Sequence, residues 1–255
     1  MNLLSRWRSQ LGRPVVIAHR GASRAAPENS LAALRLAREL GADAAEFDVQ
    51  RCASGELVVF HDQTLGRCTG HVGRICDTPW SELSKLSLDR IDPARRGERI
   101  PLLDEWLAEA HAELGLNLEA KGEELSETGA ASDAARALAR AGRLESSILS
   151  AFHPASLAQA ARAEPNLARG VLVHDPAGWQ VRLGLGLLTR PQAIHPQHTL
   201  VTPARVAAWK RLGLAVATWT VDDGDEARRC LEAGVDALIT NVPEVMRRLA
   251  ETFAR

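Results

Sequence analysis

Two acidic residues lie two positions apart in a mostly apolar stretch of the sequence, Ala44–Gln50. They are Glu46 and Asp48. The stretch is typical of a β-strand, in which alternate side chains share a face, so both carboxylates point the same way. Like charges side by side repel each other and are costly to bury unless a cation neutralises them. The pair therefore indicates either a site for a hard divalent cation or a solvent-facing strand that happens to carry two acidic residues.

Histidines and further charged residues follow other predicted strands. One strand ends at His19-Arg20, a hairpin arm ends at His61, and a later strand carries Glu119 and is followed by Lys121. A lone histidine at a strand end is usually structural, and Glu119 with Lys121 also fits an ordinary surface ion pair. Two histidines beside an arginine and a carboxylate pair favour acid–base chemistry instead, because imidazole gives or takes a proton near neutral pH.

The elements that must position these residues alternate between strand and helix. We count eight strand–helix units in 255 residues, with an extra hairpin arm after the second strand. This pattern predicts an α/β fold, a (β/α)8 TIM barrel that forms a single domain over residues 1–255, with the active site at the C-terminal ends of its strands. An insert follows the hairpin arm at about residues 63–100, and Pro101 is predicted to occupy the first position of a helix that runs to about Leu114. A doubly wound open sheet is the alternative, because periodicity does not establish closure.

Composition narrows the function classes. The chain is 45% hydrophobic and 25% charged with a net charge of −1, which gives no electrostatic case for nucleic acid. No run approaches the roughly 18 apolar residues of a membrane span, and the N-terminal residues lack the apolar core of a signal peptide, so we expect a cytoplasmic protein without stable membrane insertion. The four cysteines form no Cys-x-x-Cys pair, which argues against the usual zinc spacing. We expect reduced thiols, with a Cys68–Cys76 bridge as the alternative.

The polar motifs occur in an order that resembles the glycerophosphodiester phosphodiesterase family, in its bacterial cytoplasmic type. The motifs are His19-Arg20-Gly21, Pro27-Glu28-Asn29-Ser30, Glu46-x-Asp48, His61-Asp62, Asn117-x-Glu119-x-Lys121, Ser150-x-Phe152, Trp219-Thr220-Val221 and Thr240-Asn241-x-Pro243. They extend from about residue 15 to about residue 245. The sequence departs from the usual family pattern at Ser30 (commonly threonine), Asp222 (commonly asparagine) and Ala237 (commonly glycine).

The resemblance implies a barrel hydrolase that cleaves glycerophosphodiesters to glycerol 3-phosphate and an alcohol. Carried over by motif, Glu46, Asp48 and Glu119 would bind one divalent cation, His19 and His61 would be the acid–base pair, and Arg20 and Lys121 would hold the phosphate. By the same resemblance, His19 would be the base and His61 the acid. We expect the leaving alcohol to lie at the open rim of the barrel, in contact with Trp219, Phe152 and the Gln63–Ile100 loop. Three carboxylates without a cysteine favour Mg²⁺ or Ca²⁺ over Zn²⁺. Because the sequence shows no evident serine or cysteine nucleophile, we expect the glycerol 2-hydroxyl to attack first and form a cyclic phosphate.

Three alternatives to this function remain. A lysophospholipase D-type phosphodiesterase on the same barrel would need an apolar groove, to which Leu185-Gly186-Leu187-Leu188 would contribute. A non-catalytic binding barrel would keep the fold without turnover, and an aldolase would use Lys121 as a Schiff-base lysine. The partner in the preferred interpretation is a small molecule, and the sequence leaves the head group, the choice between Mg²⁺ and Ca²⁺ and the oligomeric state open.

Overall fold

Eight parallel strands close into a barrel in the part of the chain that the structure describes. The structure is a computed structural model, and it describes residues 2–254 apart from 89, 92–96, 123–128 and 175–178. Its strands are β1 (Val15–Ala18), β2 (Ala44–Arg51), β3 (Leu57–Val59), β4 (Gly115–Ala120), β5 (Ser147–Ala151), β6 (Ala168–Val173), β7 (Ala193–Pro196), β8 (Ala215–Thr218) and β9 (Ala237–Thr240). Strand β1 pairs in parallel with both β2 and β9, which closes the sheet and excludes the open alternative. Strand β3 is the antiparallel hairpin arm of β2. The predicted (β/α)8 barrel is confirmed.

Helices follow the strands and cover the outside of the barrel. They are α1 (Leu3–Leu11), α2 (Leu31–Glu39), α3 (Gly66–Thr69), α4 (Trp80–Leu83), α5 (Leu103–Glu109), α6 (Ala130–Arg140), α7 (Pro154–Ala163), α8 (Trp179–Leu187), α9 (Pro203–Arg211), α10 (Gly224–Glu232) and α11 (Pro243–Glu251), with 3-10 turns at Ile75–Asp77, Leu144–Ser146 and His198–Leu200. Their first turns follow the expected chemistry: Ser30 caps α2, and Pro154, Pro203 and Pro243 open α7, α9 and α11.

The prediction that Pro101 begins a helix was wrong by two residues. The Pro101 carbonyl accepts a hydrogen bond from the Val59 amide at 2.8 Å, and Leu102 forms an antiparallel bridge with Val58. This pairing holds the segment extended beside β3, so α5 starts only at Leu103. The pairing with the hairpin arm therefore outweighs the local preference of proline for the first position of a helix.

The helix α1 seals the N-terminal end of the barrel. Its residues Leu3, Leu4 and Trp7 pack against a cluster formed by residues near the starts of the strands: Val15, Ile17, Ala44, Ile148, Ala193, Ala215 and Ala237. At Gly115 the approach is so close that a Cβ atom would lie 2.6 Å from the Trp7 ring. The N-terminal end is therefore filled with apolar side chains, which leaves the C-terminal end for polar chemistry.

The insert has a small apolar cluster of its own. Its residues Leu65, Cys68, Ile75, Leu83, Leu88 and Ile100 pack with Cys52, Val58 and Phe60 from the β2–β3 hairpin. Gln63, Arg74 and Cys76 line the cavity described below, so the insert lies at the mouth of the barrel. All four cysteines are free thiols, which leaves the Cys68–Cys76 bridge unsupported. Among the described residues, no helix combines the length and apolar character needed to cross a membrane.

Candidate active site

A cavity of about 1070 Å³ opens where the strands end. Eight of the nine residues predicted for the site lie in its wall: His19, Arg20, Glu46, His61, Glu119, Lys121, Phe152 and Trp219. The ninth, Asp48, is 1% exposed and contacts Arg20 and Lys121 directly behind the wall. The structure therefore brings all nine residues together at the end of the barrel where this fold carries its active sites.

Three carboxylates form the centre of this wall. Glu46, Asp48 and Glu119 each offer an oxygen atom within 4.8 Å of the other two. Asp48 and Glu119 are directly opposite each other in the β2–β4 ladder, and Glu46 shares the inward face of β2 with Asp48. Because residues two apart on a strand point to the same side, the strand register itself produces the cluster.

Burial and mutual repulsion make this cluster costly. Burial, together with the Asp48 and Glu119 carboxylates, raises the pKa of Glu46 well above its usual value. Burial also raises the pKa of Glu119, against the opposing charge of Lys121. The Oε1 atom of Glu46 is buried and has no hydrogen-bond partner among the described residues. A buried, unpartnered carboxylate oxygen beside two other carboxylates is what a cation site looks like without its cation.

Two cations and one amide compensate Asp48. Its Oδ2 atom accepts a hydrogen bond from Asn29 Nδ2 at 2.8 Å, and Arg20 Nε lies 3.4 Å from the same oxygen. Lys121 Nζ lies 3.3 Å from Asp48 Oδ1 and donates to Glu119 Oε1 at 2.7 Å. Burial opposes ionisation of Asp48, but Lys121 and Arg20 hold its pKa below the usual range.

The same contacts answer the aldolase alternative. Burial alone would lower the pKa of Lys121, but Asp48 and Glu119 raise it above its usual value. A Schiff-base lysine needs a neutral amine at working pH. Lys121 is held as an ammonium ion, which suits anion binding and not carbonyl chemistry.

The His19 ring is held in one orientation by a chain of side chains. His19 Nδ1 lies 2.8 Å from Asn241 Oδ1, and the Asn241 amide donates from Nδ2 to Asp222 at 2.6 Å. Because a carboxylate only accepts, Asp222 fixes which end of the amide faces His19, so Nδ1 carries the proton. The other ring nitrogen, Nε2, faces Glu46 Oε2 at 3.9 Å. Burial and the Arg20 charge lower the pKa of His19 to about 4, so at neutral pH its Nε2 has a lone pair that can accept a proton.

The His61 ring is held through its neighbour in the chain. Its Nδ1 atom lies 2.7 Å from Asp62 Oδ1. Burial disfavours the ionised form of Asp62, but hydrogen bonds from Arg67 and His61 outweigh burial and lower the pKa of Asp62 to about 2. Gln50 Nε2 donates to the carbonyls of Phe60, His61 and Asp62 at 2.7, 3.1 and 2.9 Å, which fixes the backbone on which the histidine stands.

The remaining wall of the cavity is part aromatic and part neutral polar. Phe152 meets Trp219 edge to face with ring centroids 5.7 Å apart, and His174 meets Phe152 at 5.1 Å. Asn117 and Ser150 also line the cavity, and their Oδ1 and Oγ atoms are buried without a hydrogen-bond partner among the described residues.

Three histidines and one leucine-rich stretch lie outside the cavity centre. His195 is fully buried, with its ring where a Cβ atom on Gly170 would lie, and His198 pairs with Glu226. His153 caps α7 at the cavity rim. The stretch Leu185–Leu188 is not in the cavity wall, and Gly186 lies against Val171 of β6. The apolar groove expected for a lysophospholipid is therefore not formed by that stretch.

Sequence reasoning gave no role to several residues that hold the site together. Glu28, Asn29, Asp62 and Asn241 belong to the recognised motifs, which was the available signal. Gln50 near the end of β2, Arg67 in the short helix α3 and Asp222 in a loop had no such signal beyond the departure at Asp222. Asp222 contacts Asn241, and so acts on the partner of His19.

Comparisons with known proteins agree with this arrangement. Residues 19–245 match the model of the glycerophosphoryl diester phosphodiesterase family. A glycerophosphodiester phosphodiesterase of Caldanaerobacter subterraneus is 34% identical over 92% of this chain and 97% of its own length. A phosphodiesterase of Oleispira antarctica, solved in complex with the product sn-glycerol-3-phosphate, is 30% identical, superposes with a TM-score of 0.82 and covers 95% of this chain and 99% of its own. The glycerophosphodiester phosphodiesterase of Agrobacterium tumefaciens superposes with a TM-score of 0.79 at 26% identity, over 92% and 99% of the two chains.

The family match spans strands β2 to β9 and every predicted site residue from His19 to Trp219. This chain belongs to the glycerophosphoryl diester phosphodiesterase family and is an enzyme of that class, a phosphoric diester hydrolase.

Proposed function

We propose that this protein hydrolyses glycerophosphodiesters to glycerol 3-phosphate and an alcohol, with one divalent cation and two histidines. The observation that carries the proposal is the buried carboxylate cluster, with its unpartnered Glu46 oxygen, between two histidines whose Nδ1 atoms are both held by acceptors. The product bound to the Oleispira antarctica relative, sn-glycerol-3-phosphate, supports the same substrate class.

Glu46, Asp48 and Glu119 fit a hard divalent cation and would hold it. All three offer oxygen, the ligand that Mg²⁺ and Ca²⁺ prefer, and their repulsion has no other full compensation among the described residues. When bound, the cation supplies Lewis-acid stabilisation of charge on the phosphoryl oxygens. Three carboxylates suit both Mg²⁺ and Ca²⁺.

The two histidines would divide the proton transfers. His19 Nε2 takes the proton of the glycerol 2-hydroxyl as its oxygen attacks phosphorus, and His61 Nε2 gives a proton to the alkoxide as the ester bond breaks. The product of this step is a cyclic 2,3-phosphate and the free alcohol. Water then opens the ring with the roles reversed: His61 takes the water proton and His19 returns its proton to the 2-oxygen.

Arg20 and Lys121 would hold the phosphate. Both are cationic, both line the cavity, and both flank Asp48. Their charges oppose the negative charge that grows on the phosphoryl oxygens during displacement. Phe152 and Trp219 form the apolar part of the wall and would contact the leaving alcohol.

The deciding measurement is the release of glycerol 3-phosphate from glycerophosphocholine. The protein is stripped of metal and then supplied with Mg²⁺ or Ca²⁺, beside the variants Glu46→Gln and Glu109→Gln. We expect metal-dependent release, a loss of at least about 100-fold in Glu46→Gln, and no change in Glu109→Gln, whose carboxylate pairs with Arg35 on α2 and is not in the cavity wall. The better ion identifies the cofactor.

Two outcomes contradict the proposal. If release of glycerol 3-phosphate does not depend on metal, or is unaffected by Glu46→Gln, the proposed metal site is wrong. Absence of release with either ion, followed by turnover of a lysophospholipid, establishes the lysophospholipase D-type alternative. The cyclic phosphate step is tested separately, because a 2-deoxyglycerol diester cleaved as fast as the parent would exclude attack by the 2-hydroxyl.

A further inference from the structure

Arg67, from the short helix α3 of the insert, binds two carboxylates at once. Its Nη1 and Nη2 atoms donate to the two oxygens of Glu28 at 2.8 and 2.6 Å. Its Nε and Nη2 atoms donate to the two oxygens of Asp62 at 2.7 and 2.9 Å. One guanidinium group thus makes two bidentate pairs, the strongest and most directional form of this contact.

Each of those carboxylates contacts one side chain of the proposed site. Glu28 Oε1 accepts from Arg20 Nη1 at 2.8 Å, and Asp62 Oδ1 lies 2.7 Å from His61 Nδ1. Arg67 is therefore one residue removed from Arg20 on one side and from His61 on the other. In the described part of the chain, neither Arg67 nor Glu28 belongs to the cavity wall, so Arg67 does not touch a substrate there.

The contacts also keep both carboxylates ionised. Burial disfavours the ionised form of Glu28, but the hydrogen bonds from Arg67 lower the pKa of Glu28 below its usual value. An ionised Asp62 accepts hydrogen bonds and donates none, so it keeps the proton of His61 on Nδ1 and leaves Nε2 for proton exchange. If Arg67 were removed, Asp62 and Glu28 would each lose two directional hydrogen bonds. Their side chains would then rotate more freely, and so would His61 and Arg20, which they contact.

We infer that Arg67 is a positioning residue that sets His61, through Asp62, and Arg20, through Glu28, in the geometry needed for catalysis. The inference rests on the proposed function, in which His61 protonates the leaving alcohol and Arg20 binds the phosphate. The competing explanation is that Arg67 only anchors the insert to the barrel. That explanation predicts a loss of stability without any dependence of activity on the leaving group.

Two substrates distinguish these roles. Glycerophosphocholine releases an alkoxide, which needs a proton, whereas glycerol p-nitrophenyl phosphate releases a nitrophenolate, which leaves without one. A general acid contributes roughly 10²–10⁴-fold, so an enzyme with a misplaced His61 loses far more on the first substrate than on the second. A defect in Arg20 alone lowers both rates alike, because both substrates carry the same phosphate.

We expect Arg67→Met to lower kcat on glycerophosphocholine by about 10- to 100-fold and to have a several-fold smaller effect on the nitrophenyl ester. Arg67→Lys keeps the charge but loses the bidentate bonds, and we expect it to fall between Arg67→Met and the unchanged enzyme. The matched control is Arg35→Met, which removes ion pairs from α2 to Glu98 of the insert and to Glu109 without contacting the site. It is expected to leave both rates within about twofold.

A double variant tests the route through Asp62. If Arg67 acts on His61 through Asp62, adding Arg67→Met to Asp62→Asn does not increase the extra loss on glycerophosphocholine relative to the nitrophenyl ester, and any further loss, through Glu28 and Arg20, is the same on both substrates. Equal losses on both substrates in Arg67→Met alone would overturn the inference, because His61 would then not depend on Arg67, while leaving the proposed function intact. If the unchanged protein cleaves neither diester in the presence of Mg²⁺ or Ca²⁺, the proposed function and this inference fail together. Thermal unfolding of each variant separates these results from misfolding.

Discussion

At the scale of single residues, the orientation of His19 depends on a carboxylate that never reaches the cavity. Asp222 accepts from the Asn241 backbone at 2.8 Å, from its side-chain amide at 2.6 Å and from Thr240 Oγ1 at 3.0 Å. The oxygen of the same side-chain amide, Asn241 Oδ1, then accepts hydrogen bonds from His19 Nδ1 and from Ser23 Oγ. An oriented tautomer of this kind is what a base needs, since only one ring nitrogen faces the substrate.

We predict that Asp222→Ala lowers kcat by about 10- to 100-fold, because the Asn241 amide can then turn and present its NH₂ group to His19. The ¹⁵N NMR signals of His19 should shift from one tautomer toward a mixture. Asp223→Ala is the matched control, since Asp223 caps α10 through the amides of Asp225 and Glu226. It should cost about 1 kcal/mol of stability and leave kcat unchanged. Unchanged activity in Asp222→Ala would show that Asn241 needs no help to hold His19.

At the scale of elements, the site depends on how closely the loop after β1 approaches helix α2. Gly21 has φ +75°, and a Cβ atom there would lie 2.6 Å from the Ala33 carbonyl carbon and 2.7 Å from its oxygen. The Gly21 amide also donates to the Glu46 carbonyl at 3.1 Å. This close contact packs the loop that carries His19 and Arg20 against both β2 and α2.

We predict that Gly21→Ala reduces activity at least about 10-fold, because backbone atoms must shift to admit the methyl group, and a shift of about 1 Å in catalytic groups costs on the order of 10²-fold. Gly55→Ala is the matched control: its φ is +103°, but nothing lies within 4 Å of the added carbon. The control should lose about 1–3 kcal/mol from backbone strain and keep its kcat. Measured kcat and thermal unfolding of the two variants together distinguish crowding from strain, and a fully active Gly21→Ala would contradict the close-packing account.

The elements themselves could be predicted from the sequence where local patterns dominate. The eight strand–helix units and the hairpin arm that the apolar pattern predicts are all present in the structure. Predictions failed where a distant contact decides, as at Pro101, which pairs with Val59. The carboxylate cluster could be predicted because strand alternation places it, whereas Arg67 and Asp222 act through contacts between loops that no periodicity encodes.

At the scale of the whole molecule, the barrel separates stability from chemistry along its axis. Apolar residues and α1 fill the N-terminal end, while the C-terminal end buries three carboxylates that repel each other. Such a site is expected to destabilise the metal-free protein in exchange for function. The single-domain extent over residues 1–255 and the cytoplasmic location stay predictions.

This cost should be measurable as a dependence of stability on pH. The pKa of Glu46 is raised in the folded state, so the folded protein holds the proton more tightly than the unfolded chain does. The stability linked to Glu46 is therefore complete below its unfolded pKa of about 4.5 and is lost as pH rises through the raised folded value. His19 and His195, whose pKa values are lowered to about 4, act in the opposite direction between pH 4 and 6.5. A difference between two variants is needed to isolate Glu46.

We predict that Glu46→Gln raises the Tm of the metal-free protein at pH 8, by about 3–5 °C for each unit by which the pKa of Glu46 is raised. The contribution of His195, which does not contact Glu46, cancels in the comparison, and the gain should shrink as pH approaches 4.5. Added Mg²⁺ or Ca²⁺ should reverse the order, because only the unchanged protein gains binding energy from the ion. Glu226→Gln serves as the control, since hydrogen bonds from Arg229 and His198 lower the pKa of Glu226, and it should not raise Tm at any pH. A Glu46→Gln protein that is less stable than the unchanged protein without metal at pH 8 would mean that the cluster is already compensated, and the argument for a cation at this site would lose its physical basis.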